Sequence, residues 1–307
     1  MPMTMRITEA RSTTSGPRER LLANLPVTER RVEAAGISTA VLEGGHGPPV
    51  LVLHGPGEFA ARWLRVIPGL VAQYRAVIPD LPGHGTSDAG DGGVDEAHMV
   101  EWLDQLIDAT CSEPPALVGH ILGGAIGMRF AIARPQRLRQ LVLVDSLGLA
   151  PFRPAPRFAL ALLGFMALPS RRSYERMMGQ CEHDRDAVAR AMGADWDSVR
   201  DYTIERARDR RAGAAVGSLM RSVGVPAIAP DRLARLAVPT TLIWGRHDRA
   251  LRVTIAENAS TRYGWPLHVI EDTADDAPLE RPTPFLETLR RVLDARAASG
   301  DSNEERI

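Results

Sequence analysis

The segment ALVGHILGGA, residues 116–125, decides the fold of this chain of 307 residues. A short apolar run, Ala116 to Val118, is followed by a glycine, one histidine, one isoleucine, and two glycines that open a long amphipathic segment. This order predicts a strand, a sharp turn and a helix, with the residue at the tip of the turn held above the end of a sheet. Enzymes place a nucleophile at such a tip, whereas this chain places Ile121 there.

Runs rich in branched apolar residues recur along the chain and predict eight strands. They are Arg31–Val32, Ser38–Leu42, Val50–Leu53, Ala76–Ile78, Ala116–Val118, Leu141–Val144, Thr240–Trp244 and Leu267–Ile270. Helical patterns such as Glu96–Thr110 and Gly124–Ile132 lie between the later runs. The alternation predicts an α/β fold with a mostly parallel, twisted sheet flanked by helices, whose functional groups gather at the carboxyl ends of the strands.

The alternation stops between about Gly148 and Leu236, where the sequence reads as several helices without a strand. We therefore expect a core of residues 19–147 and 237–307, interrupted by an inserted helical cap of residues 148–236. Residues 1–18 are polar, arginine-rich and punctuated by glycine and proline, which predicts a disordered tail.

Composition excludes several classes of function. The formal net charge of -1 provides no global field toward nucleic acid or an anionic membrane, so neither is expected as a partner. All 37 basic residues are arginines, which excludes Schiff-base chemistry and covalently held pyridoxal phosphate, since both need a lysine amine. We find no glycine-rich phosphate motif, metal-ligand spacing or basic stripe, so no cofactor and no metal is predicted.

The two cysteines and the N-terminus bear on the compartment. Cys111 and Cys181 lie far apart without a CxxC spacing, and we expect both to be free thiols in a reducing environment. The N-terminal segment has no apolar region typical of a signal peptide, and the longest apolar run, from Phe158, is too short to span a bilayer. These features predict a cytoplasmic protein; its oligomeric state is not indicated.

Four motifs in order resemble the α/β-hydrolase superfamily over about residues 21–293. LVLHGPGEFAARW resembles the oxyanion-loop segment, VIPDLPGHGTSD the next strand with its glycine loop, ALVGHILGG the nucleophile elbow, and LIWGRHD the strand that delivers the acid of a catalytic triad. The resemblance implies an α/β-hydrolase fold, and it includes hydrolase-like proteins of actinobacterial natural-product pathways, some of which perform non-hydrolytic steps.

Acyl transfer in that family needs a nucleophile and a histidine base, and both are replaced here. Ile121 has no lone pair with which to attack a carbonyl. The family's late histidine motif aligns without a gap to IEDTADDAPLERP and places Asp275 in the histidine position; a shift of one residue places Asp276 there. The elbow glycines are explained by close packing of strand and helix.

The remaining parts of the family's machinery are partly retained. The acid position holds Asp248, either as a partner in proton transfer or as a cap of its local turn. Pro56 stands where the family aims a backbone N–H at the oxyanion, and proline has none, so of the usual pair only the amide of Leu122 remains. Losing one such donor costs about 3 kcal/mol of transition-state stabilisation.

Carboxylates are the candidate replacements. Asp248 and Asp275, with Asp276 as the alternative, are expected to be neighbours, and two carboxyl groups in a water-poor pocket raise one another's pKa values and provide a general acid or base near neutral pH. Glu58 is a further catalytic candidate, or alternatively an acid favoured by the dipole of the following helix. Other polar side chains are interpreted as structural or as candidates at strand ends: His54, Asp80 and His84 as loop-holding residues, and Asp145 and Ser146 as turn formers that could reach the cleft.

The cap provides the indication of substrate. It contains apolar aromatic and thioether side chains suited to a bulky ligand: Phe158, Phe165, Met166, Tyr174, Met177, Met178, Trp196 and Tyr202. The expected substrate-binding residues are Pro56, Gly57, Ile121, Leu122, Trp196 and Tyr202.

Three functions remain open. The first is a cofactor-independent, non-hydrolytic enzyme that uses acid–base chemistry on an apolar, polyketide-like or aromatic small molecule in natural-product biosynthesis, by cyclisation, elimination or carbon–carbon bond formation. The second is a ligand-binding protein that has lost catalysis. The third is a hydrolase that activates water directly on a carboxylate pair.

Overall fold

The computed structural model describes residues 15–90 and 94–304, the side chains of 296–304 excepted. The sheet has eight strands: β1 (Thr28–Ala34), β2 (Ile37–Gly44), β3 (Pro49–Leu53), β4 (Arg75–Pro79), β5 (Ala116–His120), β6 (Gln140–Val144), β7 (Thr240–Gly245) and β8 (Leu267–Ile270). All eight predicted strands are confirmed. Apolar and β-branched residues fill them, and β3, β5, β6 and β7 are buried along their whole length, as expected of strands covered on both faces.

The strand order is β1-β2-β4-β3-β5-β6-β7-β8. The first two strands are antiparallel to their neighbours, and every later pair is parallel. The registers align the strand ends: Leu53 pairs with Gly119, His120 with Val144, and Gly245 with Ile270. The loops that follow β3, β5, β6, β7 and β8 therefore meet along one edge of the sheet.

Helices cover both faces of the sheet and continue at its C-terminal edge. In chain order they are α1 (Pro17–Leu22), α2 (Ile67–Val71), α3 (Glu96–Thr110), α4 (Leu122–Ala133), α5 (Pro156–Ala167), α6 (Arg171–Cys181), α7 (Arg185–Met192), α8 (Ala194–Arg208), α9 (Arg210–Leu219), α10 (Pro230–Leu233), α11 (Val253–Tyr263), α12 (Ala277–Glu280) and α13 (Pro282–Glu304). None of these helices is both long and apolar enough to cross a lipid bilayer.

Six helices, α5 to α10, and the π-helical turn Met220–Gly224 occupy the segment between β6 and β7. No strand occurs in this fully described segment, in agreement with the predicted helical insertion. We keep residues 148–236 as the proposed cap and residues 19–147 and 237–307 as the proposed core.

The start of the ordered chain differs from the expectation. Residues 1–14 of the predicted tail lie outside the described residues, but Pro17 opens α1 and Arg18 is buried. The Arg18 guanidinium pairs with Asp80 at 2.9 Å and with Glu29 at 3.0 Å. A buried arginine with two carboxylate partners fixes the chain, so the boundary at residue 18 was wrong and order begins earlier.

Candidate functional site

The elbow at the end of β5 is formed as the sequence predicts. Ile121 lies between β5 and α4 with φ +45° and ψ −98°, a conformation that is strained for a β-branched residue by roughly 1–3 kcal/mol. The surrounding backbone holds it there, because the Ile121 amide donates to the Val144 carbonyl at 3.0 Å and its own carbonyl accepts from Leu147 at 3.1 Å. The strained conformation that presents a nucleophile in an enzyme is therefore retained around a hydrocarbon side chain.

The elbow glycines are required by close packing. A Cβ atom on Gly119 would lie 2.6 Å from backbone atoms of Gly123, and one on Gly123 would lie 2.5 Å from the carbonyl oxygen of Leu53. On Gly124 it would lie 2.2 Å from the hydroxyl of Ser146. The interpretation of these glycines as packing residues is confirmed.

Asp275 faces Ile121 across a cavity of about 140 Å³ at the C-terminal edge of the sheet. Its side chain is buried, and within the described residues no group donates a hydrogen bond to its carboxyl. Burial, followed by the neighbouring carboxyls of Asp248, Asp276 and Asp145, raises the pKa of Asp275 well above the usual range. After burial, the Asp248 carboxyl has the largest effect on the pKa of Asp275. Asp275 is therefore the residue that we assign to the position beside Asp248, the acid of the family's triad.

Asp248 is buried and does not line the cavity. Its Oδ1 accepts from the amides of Ala250 at 2.6 Å and Leu251 at 2.7 Å, which confirms the interpretation as a turn cap. Its Oδ2 is buried without a hydrogen-bond partner. Burial raises the pKa of Asp248 to about 7, even though the two backbone hydrogen bonds act in the opposite direction.

Asp145 adds a third carboxyl at the end of β6. Its Oδ1 accepts from the Gly245 amide at 2.9 Å, its Oδ2 is buried without a partner, and burial and Asp248 raise its pKa well above the usual range. The adjacent Ser146 is fully buried, and its hydroxyl donates to the Leu147 carbonyl at 2.8 Å. Ser146 is thus a structural residue, whereas Asp145 belongs to the carboxyl cluster.

Glu58 and His120 form the charged pair of the site. The imidazole Nε2 lies 2.6 Å from the backbone carbonyl of Asp275, and Nδ1 lies 3.4 Å from Glu58 Oε2. A carbonyl and a carboxylate can only accept, so both ring nitrogens of His120 donate and the ring is an imidazolium. Against the effect of burial, Glu58 raises the pKa of His120 to about 9, and His120 in turn lowers the pKa of Glu58 to about 2.

Glu58 also occupies the loop that would hold an oxyanion. Its Oε2 accepts from the Gly55 amide at 2.6 Å, and both Pro56 and Glu58 line the cavity. A carboxylate fixed beside the missing N–H of Pro56 repels a developing oxyanion. The alternative role of Glu58, stabilisation by a helix dipole, is wrong, because the side chain pairs with Gly55 and His120 rather than with the start of the four-residue 3-10 helix Ala60–Trp63.

Asp276 is bound to Arg62. The guanidinium donates to one Asp276 oxygen from Nη2 at 2.6 Å and from Nε at 3.0 Å, and both side chains are buried. Arg62 also lies 3.9 Å from Glu182, a buried carboxyl whose two oxygens have no hydrogen-bond partner. Burial raises the pKa of Glu182 well above its usual range. Because Asp276 already forms an ion pair with Arg62, the geometry favours Asp275 over Asp276 as the residue in the histidine position.

The cavity is mostly apolar. Its walls carry, besides the groups described above, Gly57, Phe59, Phe158, Phe165, Tyr174, Met177, Met178, Cys181 and Thr203. A second compartment of about 160 Å³ shares Gly57, Glu58, Phe165 and Thr203 with it and extends toward Met166 and Val216. The two compartments together provide an elongated apolar site.

Three of the expected substrate-binding residues do not line the cavity. Leu122, the first residue of α4, is fully buried in the core, and neither Trp196 nor Tyr202 lines either compartment. The Trp196 ring packs on Tyr174 with 6.0 Å between ring centroids, and the Tyr202 ring packs edge-on against Phe59 with 4.7 Å between centroids. Aromatic content alone does not distinguish the core of a cap from the wall of its cavity, and these large rings pack into the core.

The expected loop-holding residues do hold loops. His54 donates from Nδ1 to the Gly55 carbonyl at 2.8 Å and accepts at Nε2 from the Leu81 amide at 3.0 Å. Asp80 accepts from the amides of Ala60 at 2.6 Å and Thr86 at 2.9 Å. His84 donates to the Pro82 carbonyl at 3.0 Å.

His120, Arg62 and Cys181 were not among the predicted site residues. His120 directly precedes the elbow tip, and as a polar residue at the end of a wholly buried strand it could have been singled out. Arg62 follows the oxyanion loop by one helical turn, a weaker signal. Cys181 is a free thiol in the cavity wall, and burial raises its pKa well above the usual range, so it is held as an unreactive thiol.

Among the described residues, one group of side chains has the spacing to hold a metal ion, and it lies outside this cavity. His183, His247 and Asp272 have ligand atoms within 4.8 Å of one another, and all three are exposed. The Asp272 carboxylate is already paired with Arg281 at 3.0 Å. The cluster contributes nothing to the wall of the cavity, and we assign it no role in the chemistry.

An eight-stranded sheet with a strained elbow and three acid-bearing strand ends defines a hydrolase-type α/β architecture. The chain belongs to the alpha/beta hydrolase fold family, whose model matches residues 48–282. It is 31% identical to the 2-hydroxymuconate semialdehyde hydrolase of Pseudomonas sp. strain CF600 over 74% of this chain and 80% of that protein. It is 27% identical to the pimeloyl-[acyl-carrier protein] methyl ester esterase of Aeromonas hydrophila over 84% of this chain and 100% of that protein.

Solved structures give the same fold. A bacterial membrane phospholipase A superimposes with a TM-score of 0.78 at 24% identity, covering 91% of this chain and 90% of the other. At that identity the likeness concerns the fold alone.

Proposed function

We propose that this protein is a cofactor-independent enzyme that transfers protons to and from an apolar small molecule without a covalent intermediate. The observation that carries the proposal is the pairing of Ile121 at the elbow tip with the buried carboxyl of Asp275 across one apolar cavity. The site keeps the geometry of a hydrolase but holds a proton donor where the family holds its base.

Covalent catalysis is disfavoured by the state of each candidate nucleophile. The Ile121 side chain has no nucleophilic atom. The hydroxyl of Ser146 is buried and donates to the Leu147 carbonyl. Thr203 lines the cavity, but its hydroxyl donates to the Val199 carbonyl at 2.8 Å. Cys181 is held as a thiol, because burial raises its pKa.

Asp275 and Glu58 divide the acid–base roles. Environments that drive the pKa values of two carboxyl groups apart assign one as acid and the other as anion. Asp275, whose pKa is raised by burial and by four neighbouring carboxyls, is the general acid. Glu58, whose pKa His120 lowers to about 2, remains ionised and stabilises positive charge that develops on the substrate. Asp275 takes a proton back from the substrate as the product forms, which restores the acid for the next turnover.

The reactions that fit are acid-catalysed cyclisation, elimination and carbon–carbon bond formation, since each begins with protonation of an oxygen or a carbon–carbon double bond. The compartments of about 140 Å³ and 160 Å³ accommodate an elongated aromatic or polyketide-like molecule, whereas a compact polycyclic ligand requires the cap to move. We place this chemistry in natural-product biosynthesis, and in the cytoplasm on the basis of the sequence.

A hydrolase that activates water on the carboxyl cluster is the second candidate. The observation in its favour is that the related proteins of Pseudomonas and Aeromonas are a hydrolase and an esterase by name. The third candidate, a binding protein, uses the same cavity without turnover.

One isotope experiment separates the three. The purified protein is incubated with a small-molecule extract of its source cells in deuterated, ¹⁸O-labelled water, and mass spectrometry follows which compounds disappear. The proposal expects a product without an added water, which also carries carbon-bound deuterium where the acid protonates a carbon–carbon double bond. Two fragments whose masses together equal the substrate plus one water, one of them carrying ¹⁸O, would establish hydrolysis, and a compound that is retained but never converted would establish a binder.

Asp275→Asn tests the assigned residue in the same assay, with the exposed Asp272→Asn as its matched control. Turnover should fall by roughly 10²–10⁴-fold in the first variant and remain unchanged in the second, because a proton donor is lost only in Asp275→Asn. Equal rates in both variants would remove Asp275 from the mechanism.

A further inference from the structure

The large apolar side chains exposed in the described part of the chain are concentrated on one helix. Leu160, Leu163 and Met166 of α5 are 73%, 62% and 62% exposed, and Leu168, just after the helix, is 72% exposed. The fifth, Val225, is 41% exposed and lies elsewhere. We call the first four residues the apolar stripe. Contiguous exposed apolar surface of this kind marks an interaction site rather than ordinary surface.

The stripe is one face of a two-faced helix. Leu160, Leu163 and Met166 follow one another at a spacing of three residues, so they lie along one row of α5. The opposite face carries Phe158 and Phe165, which are buried and line the cavity beside Ile121. The helix therefore separates the cavity from whatever covers the stripe.

Arginines without acidic partners lie at both ends of the stripe. Arg153 and Arg157 precede it, Arg172 and Arg176 follow it in α6, and all four are exposed. Within the described residues none of these four forms an ion pair, whereas the nearby Arg171 is paired with Glu175 at 3.3 Å and Asp197 at 3.5 Å. The unpaired charges call for an anionic partner.

We propose that the apolar stripe and its four unpaired arginines bind the surface of an anionic lipid bilayer. A helix with leucine and methionine on one face and flanking arginines lies in the interface, with its apolar side chains among the acyl chains and its cations at the headgroups. The absence of a membrane partner was predicted from a net charge of -1, and this value averages over the local patch.

A second copy of the chain fits the stripe less well. Arginines stand at both ends, so two stripes packed face to face bring arginine against arginine in the parallel and in the antiparallel orientation. Like charges placed opposite one another disfavour such a contact, whereas lipid phosphates neutralise them.

The stripe is continuous with the entrance to the site. Met166 belongs to the stripe and also lines the second compartment, which shares Glu58 and Phe165 with the cavity at Ile121. An apolar substrate dissolved in the bilayer would therefore meet the second compartment at Met166, next to the cavity that Asp275 lines. Docking itself depends on the stripe and its four arginines and not on the chemistry proposed for Asp275.

The test is flotation of the purified full chain with vesicles of phosphatidylcholine alone and of phosphatidylcholine mixed equally with phosphatidylglycerol. Binding should be confined to the mixed vesicles and decline as salt is raised. Leu160→Ser/Leu163→Ser should weaken it by at least about ten-fold, because two leucines leave the acyl region. Arg157→Gln and Arg172→Gln should each weaken it by about five-fold. Val225→Ser, the matched apolar control, should bind like the wild type.

No binding to the mixed vesicles, or equal binding by wild type and Leu160→Ser/Leu163→Ser, would overturn the proposal. A lipid-free dimer in analytical ultracentrifugation that this double variant converts to monomer would overturn it as well, and would assign the stripe to self-association. Because the assay needs no substrate, its outcome is independent of whether Asp275 is a proton donor.

Discussion

At the scale of single residues, the site departs from a serine hydrolase in positions that serve different steps. Under the proposed alignment, Ile121 provides no attacking atom, Asp275 takes the position of the base as an acid, and Pro56 withholds a donor to the oxyanion while Glu58 adds a negative charge beside it. Each change alone abolishes or weakens acyl transfer, and all are compatible with protonation of a substrate. Together these residues are consistent with a site for substrate protonation rather than with a serine hydrolase that has lost acyl transfer.

Rebuilding the triad tests the assignment of Asp275 to the histidine position. The double variant Ile121→Ser/Asp275→His places serine, histidine and Asp248 in the family's arrangement, and it should hydrolyse p-nitrophenyl acetate above background. The rate should remain about 10²–10³-fold below that of a complete enzyme, because Pro56 still withholds an oxyanion donor. Ile121→Ser alone should stay at background, since it has no base.

The matched control for this rebuilding is Ile121→Ser/Asp276→His. It should gain nothing, because residue 276 is directed to Arg62 rather than to Asp248. Activity in this control, but not in the Asp275→His double variant, would place the histidine position one residue later. Efficient hydrolysis by Ile121→Ser alone would show that a base is already present.

At the scale of elements, His120 joins the loops of three strands. It ends β5, its Nδ1 faces Glu58 in the loop after β3, and its Nε2 donates to the backbone of the loop after β8. The pair thereby fixes the distance between the elbow and Asp275, which the cavity needs in order to keep its shape.

This pair predicts a pH dependence of stability. The pKa of His120 is raised in the folded protein to about 9, from about 6.5 when unfolded, so its contribution is fully present below pH 6.5 and is lost as pH rises through 9. The loss of the His120 contribution should lower the free energy of unfolding by about 3 kcal/mol across that window. The buried carboxyls of Asp145, Asp275 and Glu182, whose pKa values are also raised, add a decline of their own. Glu58→Gln keeps the shape but lowers the pKa of His120, so the decline should be shallower by the His120 share.

Urea unfolding at a series of pH values from 6 to 9.5 measures this effect. Glu175→Gln, which breaks the exposed pair with Arg171, is the control and should keep the wild-type slope. Parallel slopes for wild type and Glu58→Gln would show that the Glu58–His120 pair does not titrate as described.

The elements themselves were largely predictable from the sequence. The strands could be located because parallel, doubly covered strands are continuous apolar runs, and Gly119 and Gly124 indicated the elbow. The contacts of Trp196 and Tyr202 were not predictable, since helical periodicity in a cap does not reveal which face meets the cavity. Arg18 was misjudged because its partners, Glu29 and Asp80, are distant in sequence.

At the scale of the whole molecule, position in the sheet determines the chemistry. Asp145, Asp248 and Asp275 follow three adjacent strands, β6, β7 and β8, and parallel packing brings their carboxyls together in a buried cluster. Asp248 and Asp275 could be paired from the sequence through the family motifs. The charged pair of His120 and Glu58 could not, because nothing in the spacing shows that a histidine at the end of a strand faces two acceptors.

The most direct test of the central claim is the protonation state of Asp275 at pH 7. Infrared difference spectra between the wild type and Asp275→Asn isolate this carboxyl, and spectra against Asp272→Asn give the signal of an exposed aspartate for comparison. Asp275→Asn should remove the band of a protonated carboxylic acid, whereas Asp272→Asn should remove the bands of a carboxylate. Carboxylate bands lost in Asp275→Asn would show that the group is ionised and would contradict its role as the proton donor.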